Sequence, residues 1–585
     1  MRKMSNYYCN PLNLTYKYQL MKQNGHIRAY REAADASVVV FNNKYYMFPS
    51  MSGGFFTSMN LVEWEFHSFL QKMPVLDYAP DVRVINGYLY FCASRNRDNC
   101  SFYRTKDPEN ELFEELPGVF PFWDPNMFQD EDGRVYFYWG CSSKKPIYGV
   151  EMDPETMHPV TEPIELIHSV PAENGFERPC EDHRWSTNPE IRPYLEGAWM
   201  TKYKDTYYLQ YAIPGTEFNI YADGVYQSQN PLGPFERAEN NPYSYQPGGF
   251  INGAGHGSTM QDLSGNWWHV STGRVSANSP YERRVCMWKA GFDEDGELFC
   301  DQRFGDWPIC VEKEAWENPE WMLISYGKKV TASSGRMAGA VTDENIRTWW
   351  KADEDQDKNW IEVDLEKSYD ERAIQINFAD DVIYVDDNVQ IENTASLGNL
   401  SVSEKNEKGI CFQKVGPDFR ALEERVAYTR WYLEGSADGE HYFVIEDKSQ
   451  AQTDWSHDFL VREDGIRCRY LKLTILEVPY KVSPCISGLR VWGKTEGKCP
   501  EKIERIQTLW KSPLDLEVCW NDVSAVGYVV CWGYESSKLY HSRMVYGKTE
   551  TEIGAIIKNK LLYVRIDAFN ECGVTKGDVS EKLFF

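Results

Sequence analysis

The chain is predicted to be all-β, a five-bladed β-propeller followed by two β-sandwich domains. One short pattern recurs five times in the first half: an apolar strand, a polar turn, then an aromatic-rich strand. Repeats of about 40–50 residues built from short strands are the mark of propeller blades. Aromatic residues make up 15% of the 585, with 37 Tyr and 20 Trp. That composition excludes disorder and suits pleated surfaces. The length calls for several domains, and the texture of the sequence changes after Trp316.

The first copy runs from Asp35-Ala36-Ser37-Val38-Val39-Val40 through Asn42-Asn43 to Tyr45-Tyr46-Met47-Phe48. The second runs from Ala79-Pro80-Asp81-Val82-Arg83-Val84 through Asn86-Gly87 to Tyr88-Leu89-Tyr90-Phe91. In the third, Asp124-Pro125-Asn126-Met127-Phe128 leads through Asp130-Glu131-Asp132-Gly133 to Val135-Tyr136-Phe137-Tyr138. In the fourth, Glu196-Gly197-Ala198-Trp199-Met200 leads through Lys204-Asp205 to Tyr207-Tyr208-Leu209-Gln210. The fifth joins His256-Gly257-Ser258-Thr259-Met260 through Ser264-Gly265-Asn266 to Trp267-Trp268-His269-Val270. These turns carry hairpin chemistry. The copies start 44, 45, 72 and 60 residues apart, and the long intervals hold loops expected to wall a pocket.

In a propeller the first strand of every blade lines the central channel. Asp35, Asp124, Glu196 and His256 are read as sharing one position in their copies, so they are expected to converge on one axial pocket. Ala79 holds that position in the second copy. Asp81 lies two residues on, opposite Ser37 and Asn126, where structural hydrogen bonding or a peripheral substrate contact is expected. Glycosidic hydrolysis needs a carboxylic acid to protonate the leaving oxygen and a carboxylate to activate water or attack carbon. A third carboxylate can tune the acid by like-charge repulsion. Asp35, Asp124 and Glu196 meet that need, and the longer Glu suits a proton donor. Trp123 and Trp199 are expected to line the pocket and Arg283 to reach the axis beside the acid. His256 is open to three readings: a core histidine, a ligand through water to an axial ion, or a pocket wall. It lacks the second His or Cys that a transition-metal site would need.

Past Trp316, Trp360-Ile361-Glu362-Val363-Asp364-Leu365 and Leu489-Arg490-Val491-Trp492-Gly493 read as strands of a second all-β unit. The stretch from about 383 to 428 is polar and reads as an irregular insertion. In the tail, Leu514, Leu516, Val518 and Trp520 fall on one face, the period of a half-buried strand. The expected domains are residues 1–318, 319–497 and 498–585, the last two as β-sandwiches.

Net charge is 62 − 88 = −26. So acidic a surface repels phosphate backbones and makes nucleic acid an unfavourable partner, while neutral glycans meet no such barrier. The start, Met1-Arg2-Lys3-Met4-Ser5, lacks an apolar core and cleavage site, and no long apolar run occurs, so neither export nor a membrane span is expected. The 15 cysteines are odd in number and form no C-x-x-C pair. They read as reduced thiols in the cytoplasm.

Residues 25–315 resemble glycoside hydrolase family 43, five-bladed propellers that hydrolyse glycosides with inversion. The matching pieces are Ala34-Asp35-Ala36-Ser37, Tyr78-Ala79-Pro80-Asp81, Trp123-Asp124-Pro125-Asn126, Leu195-Glu196-Gly197-Ala198-Trp199 and Gly255-His256-Gly257-Ser258. The family often has Pro after the base, where this chain has Ala36. The resemblance implies Asp35 as general base, Asp124 as modulator and orienter, and Glu196 as general acid. It implies His256 near an axial calcium or sodium that is structural, with no cofactor required for the chemistry. Asp81, Trp123, Trp199, His256 and Arg283 are the expected substrate-binding set. The implied substrates are oligosaccharides ending in xylose or arabinofuranose. Galactan or arabinan degradation, or a non-catalytic lectin, are the rival readings. The second unit resembles a discoidin-type (F5/8 type C) domain, and the tail a fibronectin type III domain through Trp520, Tyr528 and Tyr563-Val564-Arg565.

Overall fold

The computed structural model of the chain describes residues 5–23, 26–71, 73, 79–94, 99–184, 192–354, 356, 358–385, 404–405, 410–415, 418–423 and 425–585. Tyr78 of the second motif lies outside them. Among the described residues there are strands and four short 3₁₀ turns but no α-helix. None of the described helical segments is long and apolar enough to cross a membrane.

Five antiparallel sheets follow one another along the chain. Blade one is Ala34–Phe41, Lys44–Ser50, Gly54–Ser58 and Glu65–Ser68, and blade two is Asp81–Ile85, Tyr88–Cys92, Phe102–Thr105 and Glu114–Leu116. Blade three is Asn126–Gln129, Val135–Trp139, Ile147–Met152 and Ile164–Ile167. Blade four is Glu196–Tyr203, Thr206–Ile213, Ala222–Ser228 and Glu236–Arg237, with Ser244–Tyr245 as an extra edge. Blade five is Asn252–Gln261, Trp267–Arg274, Arg283–Phe292 and Leu298–Asp301. Each first strand touches the next, and Asn252–Gln261 returns to touch Ala34–Phe41. The ring is closed, and the fold is a five-bladed propeller.

The ring is locked by side chains one level down the channel. Ser37 Oγ donates to Asp81 Oδ1 at 3.2 Å and accepts from the Val82 amide at 2.9 Å. Asp81 also accepts from Asn126 Nδ2 at 3.2 Å and from the Met127 amide at 2.6 Å. Asn126 Oδ1 accepts from the Met200 amide at 2.8 Å, and Trp199 Nε1 donates to the Thr259 carbonyl at 3.0 Å. Ser258 Oγ donates to the Ala36 carbonyl at 2.8 Å and accepts from the Val38 amide at 3.1 Å. Each blade is thus bonded to the next and the fifth to the first, all in buried surroundings where a lost partner is costly.

Outside the propeller, Asn359–Ala379 and His457–Glu477 are two long strands of an eight-stranded sheet. Bulges near Asp364–Tyr369 and Glu371–Ala373 bend them. Trp350, Ile361, Trp431 and Leu473 lie in the core of this unit. In the tail, a three-stranded sheet (Ile506–Ser512, Asp515–Trp520, Glu550–Ile553) accompanies a four-stranded one (Gly527–Gly533, His541–Tyr546, Tyr563–Asn570, Gly573–Thr575).

The expected irregular insertion is corrected where it is described. Ile383–Val385, Glu404–Lys405, Ile410–Val415 and Asp418–Glu423 are strands, and they join the hairpin Lys17–Gln23/His26–Glu32 in one six-stranded sheet. The hairpin alone would expose both edges, and this pairing satisfies them.

Contacts between units are extensive. Tyr211, Ile213 and Tyr245 of blade four share one hydrophobic core with Trp520, Tyr528, Trp532 and Ile566 of the tail. Arg490 of the second unit, buried, binds Glu344 at 2.7 Å and reaches Asp306 beside blade five at 3.3 Å. Among the described side chains, 14 cysteines are free thiols.

Candidate active site

The axial side chains are aimed by a backbone device. Asp35, Ala79, Asp124 and His256 all adopt the left-handed conformation, with φ of 50°, 55°, 50° and 56°. Such a residue pays about 1 kcal/mol or more in strain. Its amide is turned out of the blade's own ladder and is taken by a side chain from the preceding blade. Thr272 Oγ1 accepts from Asp35 N at 3.0 Å, Ser50 Oγ from Ala79 N at 2.7 Å, and Ser94 Oγ from Asp124 N at 3.0 Å. Asp223 Oδ1 accepts from His256 N at 2.6 Å.

Blade four departs from this pattern and corrects the sequence alignment by one residue. Its left-handed residue is Gly197, φ 63°. Glu196 pairs with Ala212 just as Ala34 pairs with Ser50 and Gly255 with Thr272. Glu196 therefore matches Ala34, not Asp35, and stands one level nearer the mouth. A Cβ on Gly197 would lie 2.8 Å from the His256 ring, so glycine is required there on two counts.

The structure nonetheless gathers the carboxylates. Asp35 accepts from Ser50 Oγ at 2.9 Å, from Arg283 at 2.9 Å and from Thr272 Oγ1 at 3.3 Å. His256 Nδ1 lies 3.6 Å from Asp35 and 3.8 Å from Asp124. Ligand atoms of Asp124, Cys141 and Glu196 lie within 4.8 Å of one another. Tyr221 donates to Glu196 Oε1 at 2.7 Å, and the Cys141 thiol lies 3.2 Å from Oε2.

The two aspartates experience opposite fields. Burial alone would raise Asp35, but the Arg283 guanidinium and His256 outweigh it and hold its carboxyl below the usual value. Burial pushes Asp124 up to about 7; His256 opposes this, while Glu196 and Asp35 add to it. Burial would lower His256, yet Asp35, Asp124 and Glu196 raise it on balance. The pocket thus favours an ionised Asp35, an imidazolium and a proton held near Asp124.

Other expected residues fall differently. Asp81, 1% exposed, has its oxygens engaged by three donors in the locking ring, so it is not a sugar ligand. Trp199, 3% exposed, is bonded to Thr259 and covered by the Arg83 guanidinium 3.5 Å from its ring. It offers no face to a sugar. Arg283 comes to the site as the partner of Asp35, held from behind by Glu32 at 2.6 Å. Trp123 is half-buried directly before Asp124, at the level Glu196 occupies in its blade.

The expected calcium or sodium does not suit the residues gathered here. Calcium takes six to eight oxygen ligands, whereas the cluster of Asp124, Cys141 and Glu196 supplies a thiol. His256 Nδ1 is turned to two carboxylates, Asp35 at 3.6 Å and Asp124 at 3.8 Å.

Sequence reasoning missed Ser50, Ser94, Thr272, Asp223, Tyr221, Cys141 and Glu32. A signal existed for three of them: in Phe48-x-Ser50, Cys92-x-Ser94 and Val270-x-Thr272 a hydroxyl residue stands two places after the residue paired with Ser37, Asp81 and Ser258.

Fold and site define the class: a five-bladed propeller presenting two aspartates, a glutamate and a histidine on its axis. Residues 30–298, the propeller, match the family model described as glycosyl hydrolases family 43. A xylan 1,3-beta-xylosidase of Vibrio sp is 27% identical over 274 residues, 43% of this chain and 45% of that protein. A xylosidase/arabinosidase of Butyrivibrio fibrisolvens is 26% identical, over 33% of this chain and 37% of that one. The chain thus spans less than half the length of these two relatives. Xylosidase/arabinosidase 43A of Humicola insolens is 24% identical over 46% of this chain and 96% of its own. Among solved structures, a thermostable family-43 glycoside hydrolase is 20% identical, covering 53% of this chain and all of that one, with a TM-score of 0.41.

Proposed function

We propose that the chain is an inverting exo-glycosidase removing terminal xylosyl or arabinofuranosyl residues from oligosaccharides. The observation that carries this is the unequal treatment of the carboxyl groups. Asp35 is held ionised by Arg283 and His256, the state a general base needs. Glu196 stands one level nearer the mouth, in the place of a proton donor to the leaving group. Water adds to the anomeric carbon and yields a proton to Asp35. The glycosidic oxygen leaves with its bonding pair and takes the proton of Glu196. Asp124, between them, keeps the cluster short of full negative charge. The deep burial of Asp35 and Asp124, each 4% exposed, favours a pocket that admits one terminal sugar. The choice of pentose follows the names of the relatives.

The proposed domains are 1–318 for the propeller, 319–497 for a discoidin-like sandwich and 498–585 for a fibronectin type III-like sandwich. The three-plus-four strand division of the tail supports the last.

The experiment is hydrolysis of aryl glycosides of xylose, arabinofuranose, galactose and glucose, with the first-formed sugar followed by NMR. Release of a pentose with inverted anomeric configuration is expected. A retained anomer would remove Asp35 as a base. Sugar binding without hydrolysis of any member would favour the lectin reading.

A further inference from the structure

Cys141 follows the second strand of blade three, and nothing in the chemistry above uses it. Its neighbour Ser142 forms two reciprocal backbone hydrogen bonds with Leu195, both 3.1 Å. These bonds clamp Cys141-Ser142 against Leu195-Glu196 and set the thiol beside the carboxyl. Tyr221 approaches from the other side, its carbonyl accepting from the Ala254 amide at 2.8 Å. A Cβ on Gly255 would lie 2.8 Å from the Tyr221 ring, so the small residue makes room for it. The outcome is one partner per oxygen: Tyr221 on Oε1 at 2.7 Å and Cys141 on Oε2 at 3.2 Å, the thiol being shared with the carboxyl of Asp124.

We propose that Cys141 is a positioning residue for Glu196, which with Tyr221 fixes the carboxyl so that Oε2 carries the proton delivered to the leaving oxygen. This rests on the glycosidase reading above. A phenol is a strong donor and a thiol a weak donor and weak acceptor. Placing the proton on Oε1 would force Tyr221 to give up its donation. Placing it on Oε2 displaces only the S–H bond, and the sulfur can then accept. In the reaction the Oε2–H bond breaks, a new O–H bond forms on the leaving oxygen, and the C–O pair stays with that oxygen. Burial, Asp124 and Glu196 push the Cys141 thiol well up, so it remains S–H throughout. The other titratable groups facing Glu196 are Asp124 from blade three, Tyr221 and Glu217 from blade four, and His256 and Tyr281 from blade five.

The test compares Cys141→Ala and Cys141→Ser with wild type on aryl and alkyl glycosides of graded leaving-group basicity, across pH. Removing one net hydrogen bond should cost about two- to tenfold in kcat/KM with the most basic leaving group. That loss should shrink as the leaving group needs less protonation. The alkaline limb should move to higher pH in the Ala variant, which lacks a donor to the carboxylate. It should move to lower pH in the Ser variant, whose hydroxyl is the better donor. A loss equal for all leaving groups, or limbs unmoved in both variants, would overturn the proposal. Wild-type protein inactive on every glycoside would instead sink the reading beneath it, so the two failures are distinct.

Discussion

Replacing Asp124 with Asn should stabilise the protein at alkaline pH. Asp124 is buried beside Glu196 and Asp35, and its carboxyl rises from 3.8 to about 7 in the folded state. A group whose folded value lies above its unfolded value contributes its stability below the unfolded value and loses it as pH rises through the folded one. At 1.36 kcal/mol per pH unit, the rise corresponds to about 4 kcal/mol that the wild type forfeits between pH 4 and pH 8. Asparagine does not titrate, so the variant should forfeit none of it. If the whole chain melts as one unit, the entropy per residue converts this to about 3 °C, and to about twice that if the propeller melts alone. The assay is thermal unfolding of both proteins at half-unit intervals across that range. The Tm difference should grow steadily in favour of the variant as pH rises, while the proposed glycosidase activity falls. A difference independent of pH would refute the reasoning. So would a variant less stable at every pH, because Asp124 would then serve the fold through its bonds and not strain it through its charge.

Two further outcomes follow. Asp35 is held low by Arg283 and His256, so His256→Asn should let it rise and move the acidic limb of kcat/KM up by about one pH unit; an unmoved limb would show that His256 does not act on the base. A propeller cut after residue 318 should be insoluble. It would expose the blade-four side of a shared core and leave Asp306 and Arg284 without Arg490 and His457. A soluble, monomeric fragment on gel filtration would contradict this.

The propeller was legible because its signal is repetition: five apolar strands, five hairpin turns and five aromatic strands in fixed order. The axial aspartates were legible for the same reason. What misled was a single residue of spacing. Glu196 and Asp35 both open their copies, and only the backbone reveals that Gly197 takes the left-handed turn which Asp35 takes in blade one. Asp81 and Trp199 illustrate a second limit. Both lie along the channel, but depth decides whether a channel residue meets substrate or locks neighbouring blades. The hairpin 17–32 pairs with a strand about 400 residues away, and no local pattern encodes such a partner.

Asp35, the proposed base, and the second unit are linked through one strand. In Arg283–Phe292 of blade five, neighbouring side chains point to opposite faces. Arg283 turns to the axis and binds Asp35 at 2.9 Å. Arg284 turns outward, and its Nε donates to His457 Nε2 of the second unit at 2.8 Å. Burial, with Arg284 and Arg31 nearby, pushes His457 well below its ordinary value, so the ring is neutral and can accept. Its Nδ1 then carries the hydrogen and donates to Asn377 Oδ1 at 2.8 Å. A neutral acceptor here matters, because a protonated ring would set two buried cations against each other directly behind the base. The second unit therefore fixes the outer face of the strand whose inner face holds Asp35 ionised. On this geometry a change at His457, far from any sugar, reaches the base through two adjacent arginines and no moving part.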